Sequence, residues 1–181
     1  MGAPSTAPGA LEQVRTFLNT WRIPNDTRQV QDQLPELVAD HRAWAADLPD
    51  VPPPTDLGEL LDLRTALRAA LGETHPSGLD DWLVRHPVVA RVGDAEPPVV
   101  HRPVCPDTTG ELLALVVDAI QQRRWARLKA CPDCQWVFYD HSRNASRTWC
   151  GMYAESAHGR ACGSIAKVRA YRARKAQGNT A

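Results

Sequence analysis

The chain has 181 residues, 43% hydrophobic and 23% charged, which fits one ordinary domain with a small appendage and excludes a large multidomain assembly or global disorder. No apolar run approaches the roughly 18 residues of a membrane span, and the start of the chain lacks a signal-peptide pattern, so a cytoplasmic protein with no membrane partner is expected. The net charge of +0 hides an asymmetry: residues 1–120 hold 9 Lys and Arg against 18 Asp and Glu, and residues 121–181 hold 12 against 3. A basic module made for a polyanion, joined to an acidic domain, accounts for that split, and so does neutralisation of one half by the other.

Residues 1–10 are Gly, Ala and Pro rich and read as a flexible tail, although Met1 to Thr6 also meets the loose myristoylation pattern. Leu11, Val14, Phe17, Leu18 and Trp21 then recur at helical spacing until Pro24. Asp26 or Thr27 can cap a second segment in which Leu34, Leu37, Val38, His41, Trp44 and Leu48 keep one helical period, with Pro35 in the first turn. After Pro52-Pro53-Pro54, Thr55 or Asp56 caps a leucine-rich helix closed by Gly72. These three helices predict a small bundle. Leu79 to Arg85 is a short helix, and Val88 to Val92 with Val99 to Arg102 form a small β-ribbon. Thr108-x-x-Glu111 is a capping box opening a long helix that runs through Trp125 and Leu128 and turns basic at Arg123, Arg124, Arg127 and Lys129.

Cys131-Pro132-Asp133-Cys134 is followed by Cys150 after 15 residues and by Cys162 after another 11. Four thiolates in two half-sites suit one tetrahedral zinc, because a Cys-x-x-Cys turn is tight enough to aim both sulfurs at one metal. An iron–sulfur cluster uses the same ligand type, and His158 can stand in for a thiolate. A redox pair fits less well, since a strand from Gln135 to Tyr139 follows the second cysteine. Cys105 stands apart as a plain thiol.

The segment from Cys131 to Met152, with its Cys-x-x-Cys-x-Trp-x-Phe-x-Asp, Ser142-Arg143-Asn144 and Arg147-x-Trp149-Cys150-x-Met152 elements, closely resembles the CGNR zinc finger of bacterial proteins with an N-terminal ABATE domain. Phe17-Leu18-Asn19-Thr20 and Leu63-Arg64-Thr65-Ala66-Leu67-Arg68 resemble motifs of that N-terminal domain. Two departures stand out: Ser164-Ile165 replaces the Asn-Arg of the motif's name, and residues 153–161 lengthen the gap before Cys162. The resemblance implies a mainly α chain with a small β-ribbon: a tail (1–10), an ABATE-like helical domain (11–129), a treble-clef-like or ribbon-like zinc finger with a C-terminal basic helix (130–177) and a short tail (178–181). It also implies one zinc per chain on Cys131, Cys134, Cys150 and Cys162, in a family described as stress-induced transcription regulators.

The expected function is therefore transcription regulation, with Arg143, Arg147, Lys167, Arg169, Arg172, Arg174 and Lys175 contacting double-stranded DNA. Arg160 adds to the same charge. Arg143, Asn144 and Arg147 are equally suited to pin their own loop by internal hydrogen bonds. Trp136, Phe138, Trp149 and Tyr171 are expected as the finger's minicore, and Ile165, Val168 and Tyr171 as the positions that dock the basic helix. The acidic half would sense a small-molecule effector, with Trp21, Trp44 and Trp82 as pocket or core residues, or would form a homodimer. The alternative is a zinc-stabilised small-molecule-binding or catalytic protein, with Glu155 and His158 beside the metal for acid–base work. No Walker loop, dinucleotide glycine signature or nucleophile elbow is present.

Overall fold

Leu11, Val14, Phe17 and Leu18 share one face of α1 (Leu11–Leu18), and all four are buried. The computed structural model describes residues 6–24, 27–94, 96–151 and 161–178. Within the expected tail, Ala7 is already buried against the core, and its N–H donates to Glu12. Residues 1–5 lie outside the described residues.

A short antiparallel pair that the spacing of apolar residues does not announce follows α1: β1 (Trp21–Arg22) runs against β2 (Gln31–Asp32), with Trp21 opposite Asp32. Thr27 therefore caps no helix, and Asp26 lies outside the described residues. The single helix expected up to Leu48 is two, α2 (Leu34–Ala39) and α3 (His41–Asp47). Asp40 takes extended backbone angles between them and accepts from the N–H groups of Arg42 and Ala43, so a local N-cap interrupts a continuous hydrophobic period. Next comes α4 (Leu57–Ala69), capped by Asp56 as expected. A 3-10 turn at Ser77–Leu79 enters α5 (Asp80–Arg85), and β3 (Val88–Val92) and β4 (Val99–Pro103) form the expected ribbon.

The next helix, α6 (Thr108–Gln121), differs from expectation at both ends. Its cap is Asp107, whose carboxylate accepts from Gly110 N–H, while the Thr108 hydroxyl donates outward to Pro52 O at 3.0 Å. A Cβ on Gly110 would sit 2.7 Å from Pro103 Cβ, so only glycine lets this end of α6 lie against β4. At the other end, Arg123 adopts φ 56°, Arg124 N–H donates to Ala119 O and Arg123 N–H to Ile120 O. That Schellman closure stops the helix before Trp125. Trp125 and Leu128 remain buried, but from a 3-10 turn (Trp125–Arg127) and from β5 (Leu128–Ala130), which pairs with β6 (Val137–Tyr139). The described residues thus hold three antiparallel strand pairs where one ribbon is expected. The last element is α7 (Cys162–Gly178).

Phe17, Trp44, Leu63, Leu67, Leu112 and Leu113 centre the main core. Trp125, Leu128, Val137 and Tyr139 belong to the same cluster, so the boundary expected at residue 129 falls inside β5 and the core crosses it. Among the described residues, no helix is long and apolar enough to cross a membrane.

Candidate metal centre

The turn between β5 and β6 supplies the first half-site. Cys131 N–H donates to Trp136 O at 2.9 Å, Gln135 N–H donates to Cys131 O at 2.8 Å, and Gln135 takes φ 59° to close the turn. This geometry faces both thiols inward. Cys150 and Cys162 supply the second half, where Gly163 N–H donates to Gly151 O at 2.9 Å and Cys162 opens α7.

All four sulfurs lie within 4.8 Å of one another; Cys134 and Cys150 are 3.5 Å apart, and Cys150 and Cys162 3.6 Å. A tetrahedron with Zn–S bonds of about 2.3 Å has edges of about 3.8 Å, whereas a disulfide would bring two sulfurs to about 2 Å. The sulfurs converge on one point and leave no room for a multi-iron cluster. Cys131, Cys134 and Cys162 are buried. Hydrogen bonds from Cys134 and Cys150 push the Cys131 thiol down, and its bond to Cys131 pushes Cys134 up to about 12. Cys150 is raised further by Cys131 and Cys134 together. One negative charge among these thiols thus opposes the next, and a divalent cation at their centre removes that opposition.

Phe138 is buried against the cysteines, with Trp136 and Trp149 packed partly over them, as expected. Tyr171 is not part of this minicore: it is 61% exposed. Arg147 lies with its guanidinium 5.1 Å from the Phe138 ring centroid, and it donates through Nε to Trp149 O at 2.8 Å and through Nη2 to Cys150 O. It therefore braces the backbone of the third ligand. The basis of the loop is the aspartate that ends the Cys-x-x-Cys-x-Trp-x-Phe-x-Asp element, a position whose role the motif does not state. Asp140 is fully buried and accepts from Lys129 Nζ at 2.8 Å and from the N–H groups of Ser142 and Arg147. Burial pushes its carboxyl up, but these donors outweigh it and hold the group at about 2. Arg127 adds bonds to Asp140 O and Ser142 O.

The finger is seated on the N-terminal half by the motif residues Asn19 and Arg68. Asn19 Nδ2 donates to Val137 O at 2.9 Å, and Val137 N–H donates to Asn19 Oδ1 at 2.8 Å. Arg68 donates to Leu18 O at 2.8 Å and to Gln135 O at 2.7 Å, across the face of Trp21. Burial, with the nearby Arg64 charge second, lowers its pKa to about 10. Arg64 in turn holds Thr20 Oγ1 and both carboxylate oxygens of Asp32. Ile23 N–H reaches Cys134 O at 3.0 Å.

The remaining basic candidates do not converge on the metal. Arg143 is exposed on the loop, and Lys167, Arg169, Arg172, Arg174 and Lys175 are all exposed along α7. Arg169 stands 3.6 Å from Asp133 Oδ1, within the first half-site turn. Ile165 is half-buried, but Val168 is 48% exposed, so Val168 and Tyr171 do not dock the helix as expected. Arg160, Glu155 and His158 lie outside the described residues. Cys105 is exposed and outside the cluster. Trp44 and Trp82 are buried in the main core and Trp21 is covered by Arg68, so the three do not form a pocket.

Residues 127–175 match the family model of the CGNR zinc finger, a span that contains all four cysteines. A comparison with curated proteins found no match. The family's metal and the four-sulfur geometry agree: this is a zinc-binding protein, with zinc on Cys131, Cys134, Cys150 and Cys162.

Proposed function

We propose that the protein is a cytoplasmic DNA-binding transcription regulator in which a treble-clef-like finger presents α7 to a duplex. The N-terminal half senses an effector or forms a homodimer. The observation that carries this reading is the composition of α7: its 17 residues hold five cationic side chains and no acidic one, and all five are exposed. A helix of that length spans about 25 Å and fits a major groove, and guanidinium forks suit phosphate and guanine edges. Arg143 extends the same charge, whereas Arg147 acts through the zinc loop. The resemblance of the Asn19-Thr20 and Arg64 to Arg68 motifs to a regulator's N-terminal domain supports the same reading.

Catalysis at zinc is disfavoured because four thiolates fill the tetrahedron and leave no position for water. The test is binding of the zinc-loaded full chain to a labelled mixed-sequence duplex across a salt series. Counterion release gives a linear fall of log affinity with log salt, with a slope of about −0.9 per phosphate contacted. No binding at low salt overturns the reading.

A further inference from the structure

Trp136 has a second role outside the zinc shell. It lines an open cleft of about 410 Å³ whose other lining residues come from α1 and β1 and from α2 and α3. The volume lies within the usual range for small-molecule sites. The wall beside the finger is cationic: Arg15 and Arg22 hold their guanidinium carbons 5.7 and 5.6 Å from the Trp136 ring centroid. Arg15 is spent on Glu12 and Val137 O, but Arg22 donates only through Nε, to Gln31 Oε1 at 3.1 Å, among the described residues. The far wall is anionic, with Glu36, Asp40 and Asp47 all exposed. Asp40 is committed through Oδ1 to its helix cap, whereas the carboxylates of Glu36 and Asp47 have no hydrogen-bonding or ionic partner among the described residues. Leu37 and Ala43 add apolar surface to that same wall.

We infer that this cleft is a binding site for a small zwitterion of the α-amino acid class. The ligand's carboxylate pairs with Arg22, its ammonium lies toward Glu36 and Asp47, and its side chain rests on Trp136 and Leu37. A plain anion would face three carboxylates, and a plain cation would face two guanidinium groups; only a ligand with both charges satisfies both walls. The site also touches the seat of the finger, because Arg15 and Asn19, which line it, both donate to Val137 O. The inference does not depend on DNA binding by α7.

The experiment uses the zinc-loaded full chain and the proteinogenic L-amino acids one at a time at millimolar concentration, read by saturation-transfer NMR and then calorimetry. Each amino acid that binds is compared with its decarboxylated amine and its deaminated acid. The expected result is binding of one or a few apolar amino acids, loss of at least about tenfold in affinity for both truncated analogues, and a similar loss in Arg22→Gln and in Asp47→Asn. Unchanged zinc content in both variants reports an intact finger, and Asp47 is exposed enough for its variant to fold. Equal binding of the amine makes the cleft a cation site, equal binding of the acid makes it an anion site, and binding of none makes it no amino acid site. Each of these three results overturns the inference.

Discussion

Asn19 and Val137 close a two-bond ring in which the side-chain amide does for β6 what a neighbouring strand would do: it accepts from the strand's N–H and donates to its C=O. Both residues are buried, so neither partner has water as a substitute. Asn19→Ala leaves a buried donor without its acceptor and weakens the seat of the finger on α1. The expected loss is about 2–4 kcal/mol, read by chemical denaturation. Asn19→Asp is expected to be worse than Asn19→Leu, because a carboxylate facing Val137 O repels it. Equal stability of the wild type and Asn19→Ala would show that the ring contributes nothing.

Zinc analysis should give one ion per chain. Cys134→Ser and Cys162→Ser should lose it, and Cys105→Ser should keep it, because only the first two place sulfur in the tetrahedron. Binding must release thiol protons, including that of Cys134, whose pKa is held up at about 12 by its neighbours. Zinc affinity should therefore fall as pH falls, with more than one proton taken up per zinc lost, measurable by competition with a chromogenic chelator. Full zinc retention by Cys134→Ser would refute the ligand set.

The metal centre was legible in the sequence because four cysteines at fixed spacing leave few other chemistries. The loop that supports it was not. Asp140 carries a motif resemblance and Lys129 ends a basic run, but only folding of β5 against β6 puts Lys129 Nζ beside the Asp140 carboxylate. The helices were readable from their period until a local bond competed with it, at Asp40 and again at Arg123. Asn19 and Arg68 carried a motif resemblance but no visible purpose, since their partners Val137 and Gln135 lie far along the chain.

Asp140 makes stability depend on acid. Its folded pKa of about 2 is below the ordinary 3.8, so its contribution is fully present above about 3.8 and is lost as pH falls toward 2. The size is on the order of 2 kcal/mol. Asp140→Asn should remove this part of the acid dependence and destabilise the protein at neutral pH by about 2–3 kcal/mol, since the Lys129 ammonium then keeps no counter-charge. Lys129→Met combined with Asp140→Asn should recover part of that loss. Denaturation curves between pH 2 and 7 check both, and an unchanged acid limb in Asp140→Asn would exclude this carboxylate as the source.

Arg147 and the arginines of α7 should separate by what they do. Arg147 spends Nε and Nη2 on the carbonyls of Trp149 and Cys150, so Arg147→Ala should loosen the second half-site, weaken zinc retention and leave those carbonyls without their donor. Arg172 and Arg174 are exposed on α7, and their replacement should leave zinc affinity and thermal stability unchanged. If α7 meets DNA, Arg172→Ala with Arg174→Ala should lower the log–log salt slope by about two, one for each phosphate contact removed. Arg169 is the less informative choice, because its neighbour Asp133 belongs to the first half-site turn and a change there reaches the metal as well. A salt slope unchanged in the Arg172 and Arg174 double variant would remove α7 from the DNA interface, even if the intact chain binds.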